Sequence, residues 1–416
     1  MTGRVIPIVG SSAIGHAPTA ARSDEGIRFT TLPPLSLYVH LPWCVRKCPY
    51  CDFNSHEASA PPDYEAYVDA LIADVHAALP LVWGRPVESV FFGGGTPSLM
   101  PVAPFSRLMD TLRALLQLRP GLEVTLEANP GTVDEANFAG YAAAGVNRIS
   151  LGVQSFDDAM LLRLGRIHAG DDARQALDIA QRHVPRVNID LMHALPGQST
   201  AQALADIGVA RRSGVGHISA YQLTLEPNTA FAARPPAGLP DADAAADIAE
   251  AVETELASAG FEHYETSAYA RKGERCQHNL NYWRFGDYLG IGAGAHGKLS
   301  FAERIERHAR YRHPRTYLER AGTTGAAIDG GTATVEETRV LRADELPFEF
   351  ALNAMRLTEG FDATLYPNST GRPTAELLRS LTAASRLGLV RMSAGRVLPT
   401  ALGRRHLNSL LETLLP

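Results

Sequence analysis

Cys44, Cys48 and Cys51 stand within eight residues of one another, in the run Leu-Pro-Trp-Cys-Val-Arg-Lys-Cys-Pro-Tyr-Cys-Asp-Phe that ends at Phe53. Three thiolates are one short of the four that close a tetrahedral zinc or iron site. Thiolate is a soft ligand, and a four-iron cluster held by three of them keeps one iron open to a further ligand. A zinc knuckle is the alternative. Zinc sites pair C-x2-C with a second Cys/His pair, whereas the fourth cysteine, Cys276, lies far downstream.

A loop of this kind needs a rigid mount. From Ser36 onward, apolar runs suited to strands alternate with stretches of helical period. The runs are Leu37–Leu41, Val87–Phe92, Val124–Leu126, Ile149–Val153, Val187–Met192 and Ile218–Leu223. Between them, Val68, Leu71, Ile72 and Val75 share one helix face, as do Phe105, Leu108, Met109 and Leu112. Six β-α units in succession predict an α/β fold with parallel strands, a barrel or partial barrel. Barrels of this type carry their chemistry at the C-terminal ends of the strands. The predicted strand ends are the cysteine loop, Gly93-Gly94-Gly95-Thr96-Pro97, Glu127-Ala128-Asn129, Gln154-Ser155, the Asn188 and Asp190 pair, and Tyr221-Gln222. Polar groups therefore collect on one rim. The triple glycine removes side chains where backbone must approach a ligand, and it lacks the Lys-Ser/Thr of a phosphate-binding P-loop.

The motif Tyr-Val-His-Leu-Pro-Trp-Cys-x3-Cys-Pro-Tyr-Cys-Asp-Phe resembles the radical S-adenosyl-L-methionine (SAM) superfamily. Within it, the chain looks like the branch that holds oxygen-independent coproporphyrinogen III oxidase and its heme-chaperone relative, from about Leu35 to the end. The oxidase pattern has a further cysteine two residues after the third, where this chain has Phe53; that difference points to the chaperone. The resemblance implies an open (β/α)6 partial barrel and a [4Fe-4S] cluster on Cys44, Cys48 and Cys51. It implies SAM contacts at Tyr38, Tyr50, Gly94, Gly95, Thr96, Glu127, Gln154, Arg166 and Asp190, with Gln222 and His296 near the adenine. Chemistry agrees for Arg166, which can pair with a carboxylate, and for Glu127, which can accept from ribose hydroxyls. His278, in the His-Asn-Leu-Asn-Tyr-Trp segment, matches the part of the chaperone linked to heme, so an axial imidazole is expected there; Cys276 is a lesser candidate. Heme, a heme-accepting protein and an electron donor such as a flavodoxin or ferredoxin are the implied partners. Oxidative decarboxylation of coproporphyrinogen III is the alternative activity.

Composition fits a soluble globular protein: 416 residues, 45% hydrophobic and 20% charged, with net charge −6. That charge argues against nucleic acid as a partner. The apolar Val-Ile-Pro-Ile-Val near the N-terminus is too short for a signal sequence, and no stretch is long enough to span a membrane. A cysteine cluster in place of a disulfide framework predicts a reducing, cytoplasmic setting. The expected organisation is a flexible N-terminal extension (residues 1–34), the partial barrel with an adjoining segment (35–300), and a small C-terminal, mainly helical, winged-helix-like domain (301–416). That last region holds helical patterns at Leu346–Arg356 and Ala375–Leu387, a hairpin over 389–398 and a final helix at Ala401–Leu414. Gly292-Ala-Gly294-Ala-His-Gly297 matches G-x-G-x-x-G but opens no βαβ unit, and predicts a tight turn beside the barrel mouth.

Overall fold

The computed structural model describes residues 26–322 and 333–415. Six parallel strands occur where the apolar runs predict them: β1 (Leu35–Leu41), β2 (Pro86–Gly94), β3 (Gln117–Ala128), β4 (Arg148–Gln154), β5 (Arg186–His193) and β6 (His217–Gln222). They lie side by side in chain order. Parallel neighbours need a crossover, supplied here by helices α1 (Tyr64–Val82), α2 (Val102–Leu115), α3 (Glu135–Ala143), α4 (Gly170–His183) and α5 (Thr200–Arg212). Phe105, Leu108, Met109 and Leu112 of α2 are all buried against the strands, as are Val68, Leu71 and Val75 of α1. After β6, helix α6 (Ala242–Ser258) leads into the antiparallel pair β7 (Glu262–Glu265) and β8 (Ala268–Ala270), and β8 joins the edge at β6.

The sheet also grows from its other edge. After helix α7 (Gln277–Trp283), β9 (Asp287–Ile291) pairs parallel with β1. Antiparallel strands β10 (His296–Phe301), β11 (Arg304–Arg310) and β12 (Val335–Val340) follow. The result is one twelve-stranded open sheet whose edges are β12 and β7. A boundary at residue 300 leaves β11 and β12 of this sheet on its far side.

From Leu341 the chain builds a second hydrophobic cluster around Leu346, Phe350, Phe361, Tyr366 and Val397. Short helices surround a three-stranded sheet of β13 (Phe361–Asp362), β14 (Val390–Ser393) and β15 (Arg396–Pro399). The hairpin over 389–398 is present, but the single helix predicted for Ala401–Leu414 is two, because His406 leaves helical geometry at φ −118°, ψ 47°. The extension predicted to be flexible is also corrected in part. Residues 1–25 lie outside the described residues, but Ile27 is buried, and the amides of Arg28 and Phe29 donate to the carbonyls of Gly371 and Ala302. Those backbone bonds hold residues 27–29 against the later chain.

Candidate functional site

The strand ends and the cysteine loop enclose a cavity of about 770 Å³. Strand β1 delivers the loop. Its path is set by Gly95, whose amide donates to the Leu41 carbonyl while the amide of Thr96 donates to Trp43. A side chain at Gly95 would meet Trp43 backbone at 2.5 Å, and one at Gly94 (φ 119°) would meet the His40 ring at 2.6 Å. The glycine run thus lets two backbones lie in contact. Asn54 ties the loop's far end to the late strands, donating to the carbonyls of Ala293 (3.0 Å) and Arg312 (2.8 Å). Gly294 of the G-x-G-x-x-G segment stands where any Cβ would strike Asn54. The segment is the β9–β10 turn at the barrel mouth, as expected.

All three cysteines are free, half-buried and on the cavity wall. Each sulfur has a polar partner. The Thr96 hydroxyl donates to Cys44 (3.6 Å), the Ser55 hydroxyl lies 3.6 Å from Cys51, and Arg166 donates to Cys48 (3.5 Å). Burial raises the Cys44 and Cys51 thiols above their ordinary value, and the hydroxyl donors act in the opposite sense. Three soft donors, each with hydrogen-bond support, fit an iron–sulfur cluster, where such bonds stabilise charge on sulfur. Among the described residues, no three of His, Cys, Asp and Glu gather round one point as a single ion requires. A cubane needs no such point, since each thiolate takes its own iron.

Arg166 follows a short helix (Asp158–Arg163) and reaches across the rim, donating to Asn129 Oδ1 (2.5 Å) and the Gly152 carbonyl (2.7 Å). Its Nε is buried without a hydrogen-bond partner. Gln154 ends β4 with φ 68°, a conformation that costs a non-glycine residue about 1–3 kcal/mol and concentrates at functional sites. Tyr221 donates to its side-chain oxygen at 2.7 Å. Below the rim, Glu127 accepts from the Gly94 amide at 3.1 Å. Burial, reinforced by nearby Asp190, pushes the Glu127 carboxyl up to about 8. Burial also raises Asp190, against donors from Ser219, Asn188 and Ser150.

Tyr38, His296, His278 and the lesser candidate Cys276 fall outside the cavity wall, and the other predicted residues line it. Tyr38 stacks on Phe91 (6.3 Å between rings), which itself lines the cavity, and its hydroxyl bonds His40 Nδ1 at 3.0 Å. His296 is exposed at the head of β10. His278 is 1% exposed, with Nδ1 on the Ser89 hydroxyl (2.9 Å) and Nε2 on the Tyr282 hydroxyl (3.0 Å). Burial drives its pKa down to about 3. Both ring nitrogens are engaged, so His278 does not fit the expected axial ligand. Cys276 is fully buried and donates to Glu123 (3.4 Å). This segment instead plugs the lower end of the barrel, with the amides of Gln277 and His278 capped by the same carboxylate (3.2 and 3.1 Å).

Asn129, Asn188 and Tyr221, expected at the rim, also line the cavity, as do Arg148, Ser150 and Ser219, which sequence reasoning did not single out. The signal was available: alternate residues of one strand share a face, so positions 148, 150, 152 and 154 point inward together.

Comparison with known proteins agrees with this architecture. The Radical SAM superfamily pattern matches residues 38–207, and the HemN C-terminal domain pattern matches 341–406. The chain is 46% identical over 386 residues to heme chaperone HemW of Escherichia coli, covering 92% of this chain and 99% of that one. It belongs to the HemW family. The Haemophilus influenzae member is 44% identical over 92% of this chain and 98% of its own. The family fold is also that of the solved coproporphyrinogen III oxidase HemN of Escherichia coli, with a TM-score of 0.76 at 22% identity over 92% of this chain and 90% of that one.

Proposed function

We propose that the protein is a heme chaperone that holds a [4Fe-4S] cluster on Cys44, Cys48 and Cys51, binds SAM at the rim beside it, and passes heme to an acceptor protein. The observation that carries this reading is identity near one half along almost the whole length of chains named as heme chaperones. Phe53, 61% exposed at the cavity mouth where the oxidase pattern has cysteine, supports it over the oxidase.

When bound, a reduced cluster with SAM supplies one-electron chemistry. The chain's own residues hold and orient. Arg166 presents a guanidinium beside Cys48 and suits a carboxylate, and Glu127 and Asp190 suit hydroxyls. Glu127, protonated at neutral pH, can donate as well as accept. No step is assigned to His278, and the heme ligand lies elsewhere in this reading. The reduced thiols suit a cytoplasmic setting with a flavodoxin or ferredoxin as electron source, and among the described residues no helix is long and apolar enough to cross a membrane.

The test is anaerobic reconstitution followed by heme titration and transfer to a heme-free acceptor. Heme uptake and release without conversion of coproporphyrinogen III is expected. Decarboxylated product would replace this reading with the oxidase.

A further inference from the structure

Strand β4 aims Arg148, Ser150, Gly152 and Gln154 into the barrel in succession. Gln154 sits at the rim and Arg148 at the opposite, lower end of the row. Arg148 is 2% exposed, yet it lines the cavity, and among the described residues its guanidinium makes no hydrogen bond or ion pair. The carboxylates that act on it from a distance, Glu123 and Asp190, are turned elsewhere. Glu123 serves Arg186 (2.8 Å) and the amides of Gln277 and His278; Asp190 takes Asn188 (2.7 Å) and Ser150 (3.0 Å). Five N–H donors are thus held in a low-dielectric lumen with no protein acceptor, an arrangement that is costly unless something entering the cavity supplies one.

We propose that the lower lumen is a second ligand site, distinct from the cysteine end of the cavity, and that Arg148 receives the carboxylate of an organic acid there. A guanidinium fork matches a planar carboxylate with two parallel bonds. A phosphate dianion is the poorer match, because the Asp190 carboxyl shares the lumen and disfavours a second negative charge. The cavity volume of about 770 Å³ lies in the upper part of the range for small-molecule sites. The proposal deepens the reading above by naming the chemistry of a ligand bound beneath SAM, and it rests on that reading only for what fills the rim.

The experiment uses the full chain, reconstituted anaerobically and saturated with SAM, titrated with propionate, succinate and glutarate in a calorimeter and by thermal unfolding. Saturable binding of at least one acid is expected, at least tenfold weaker in Arg148→Gln and intermediate in Arg148→Lys, with SAM affinity equal in all three. Methyl esters of the same acids should not bind the wild type, a comparison that needs no variant. Binding of no acid, equal binding in Arg148→Gln, or binding of the esters as tightly as the acids overturns the site. Acid binding by a wild type that fails to bind SAM would leave this site standing and remove SAM from the rim.

Discussion

At the rim, single side chains serve two structures at once. Arg166 bonds Cys48, Asn129 and the Gly152 carbonyl, so it joins the cysteine loop to the ends of β3 and β4. Charge-assisted bonds contribute about 1.5–3 kcal/mol each, so Arg166→Ala should weaken SAM binding roughly 10- to 150-fold by calorimetry while cluster absorbance persists. Glu127 predicts a pH effect. Its folded pKa of about 8 lies above the ordinary 4.5, so the folded state holds the proton more tightly. Its contribution to stability is complete below about pH 4.5 and is lost as pH rises towards 8. Melting curves should show Glu127→Gln gaining on the wild type steadily between pH 5 and pH 8; parallel curves would mean the carboxyl is not shifted. Glu127 was legible as the polar end of an apolar run, and Arg166 only through the family resemblance. Arg148 was not, because it opens its strand where the pattern reads as a solvated turn.

The element whose chemistry is hardest to read from sequence alone is α7. Its motif carries a histidine, a tyrosine and a tryptophan, all types that suit heme. Both ring nitrogens of His278 are engaged, by distant Ser89 and by Tyr282 one turn on, and Asn281 donates to the distant Ser36 hydroxyl (2.9 Å) and the nearby Asp287 carbonyl (2.8 Å). The His278 ring packs on Phe91 with 4.9 Å between centroids. Residue types reveal ligating capacity, but only the fold shows that the capacity is spent. His278→Ala should therefore lower unfolding free energy by about 2–4 kcal/mol, as large-to-small changes in packed interiors do, without moving the Soret band of bound heme. Denaturant melts and a heme difference spectrum check the two halves separately. Glu123→Ala leaves the buried amides of Gln277 and His278 without their acceptor, while Arg186 keeps Glu274 (3.1 Å) and the Arg275 carbonyl (2.9 Å), so denaturant melts should show a loss of about 1–3 kcal/mol.

Across the whole molecule, the parallel core was readable and the sheet's extension was not. Strands β1, β2 and β4 are buried along most of their length and carry apolar runs. Strand β12 reads Val-Glu-Glu-Thr-Arg-Val and is exposed along nearly its whole length, so no hydrophobic period announces it. The same division governs the cysteines. Cys44, Cys48 and Cys51 face the cavity, whereas Cys276 is sealed in the plug. Serine at any of the first three should abolish iron–sulfur absorbance, because an alkoxide is a poor ligand for a soft site. Cys276→Ser should retain it. Loss of the cluster in that variant would reassign the ligand set.

The tether at Asn54 has a bearing on the order of events during synthesis. Its acceptors, Ala293 and Arg312, follow it by 239 and 258 residues. A ribosome adding about 5–20 residues per second needs on the order of 10–50 seconds to reach them. During that interval the cysteine loop can rest on β1 and β2 but lacks the clasp that closes its far side. The cluster site is therefore finished late, after the barrel strands have emerged. A chain stopped after residue 286 lacks β9 and both acceptors, and it should take up iron and sulfide poorly under conditions that load the full-length protein. The early position of the motif in the sequence conceals a dependence on strands made more than two hundred residues later.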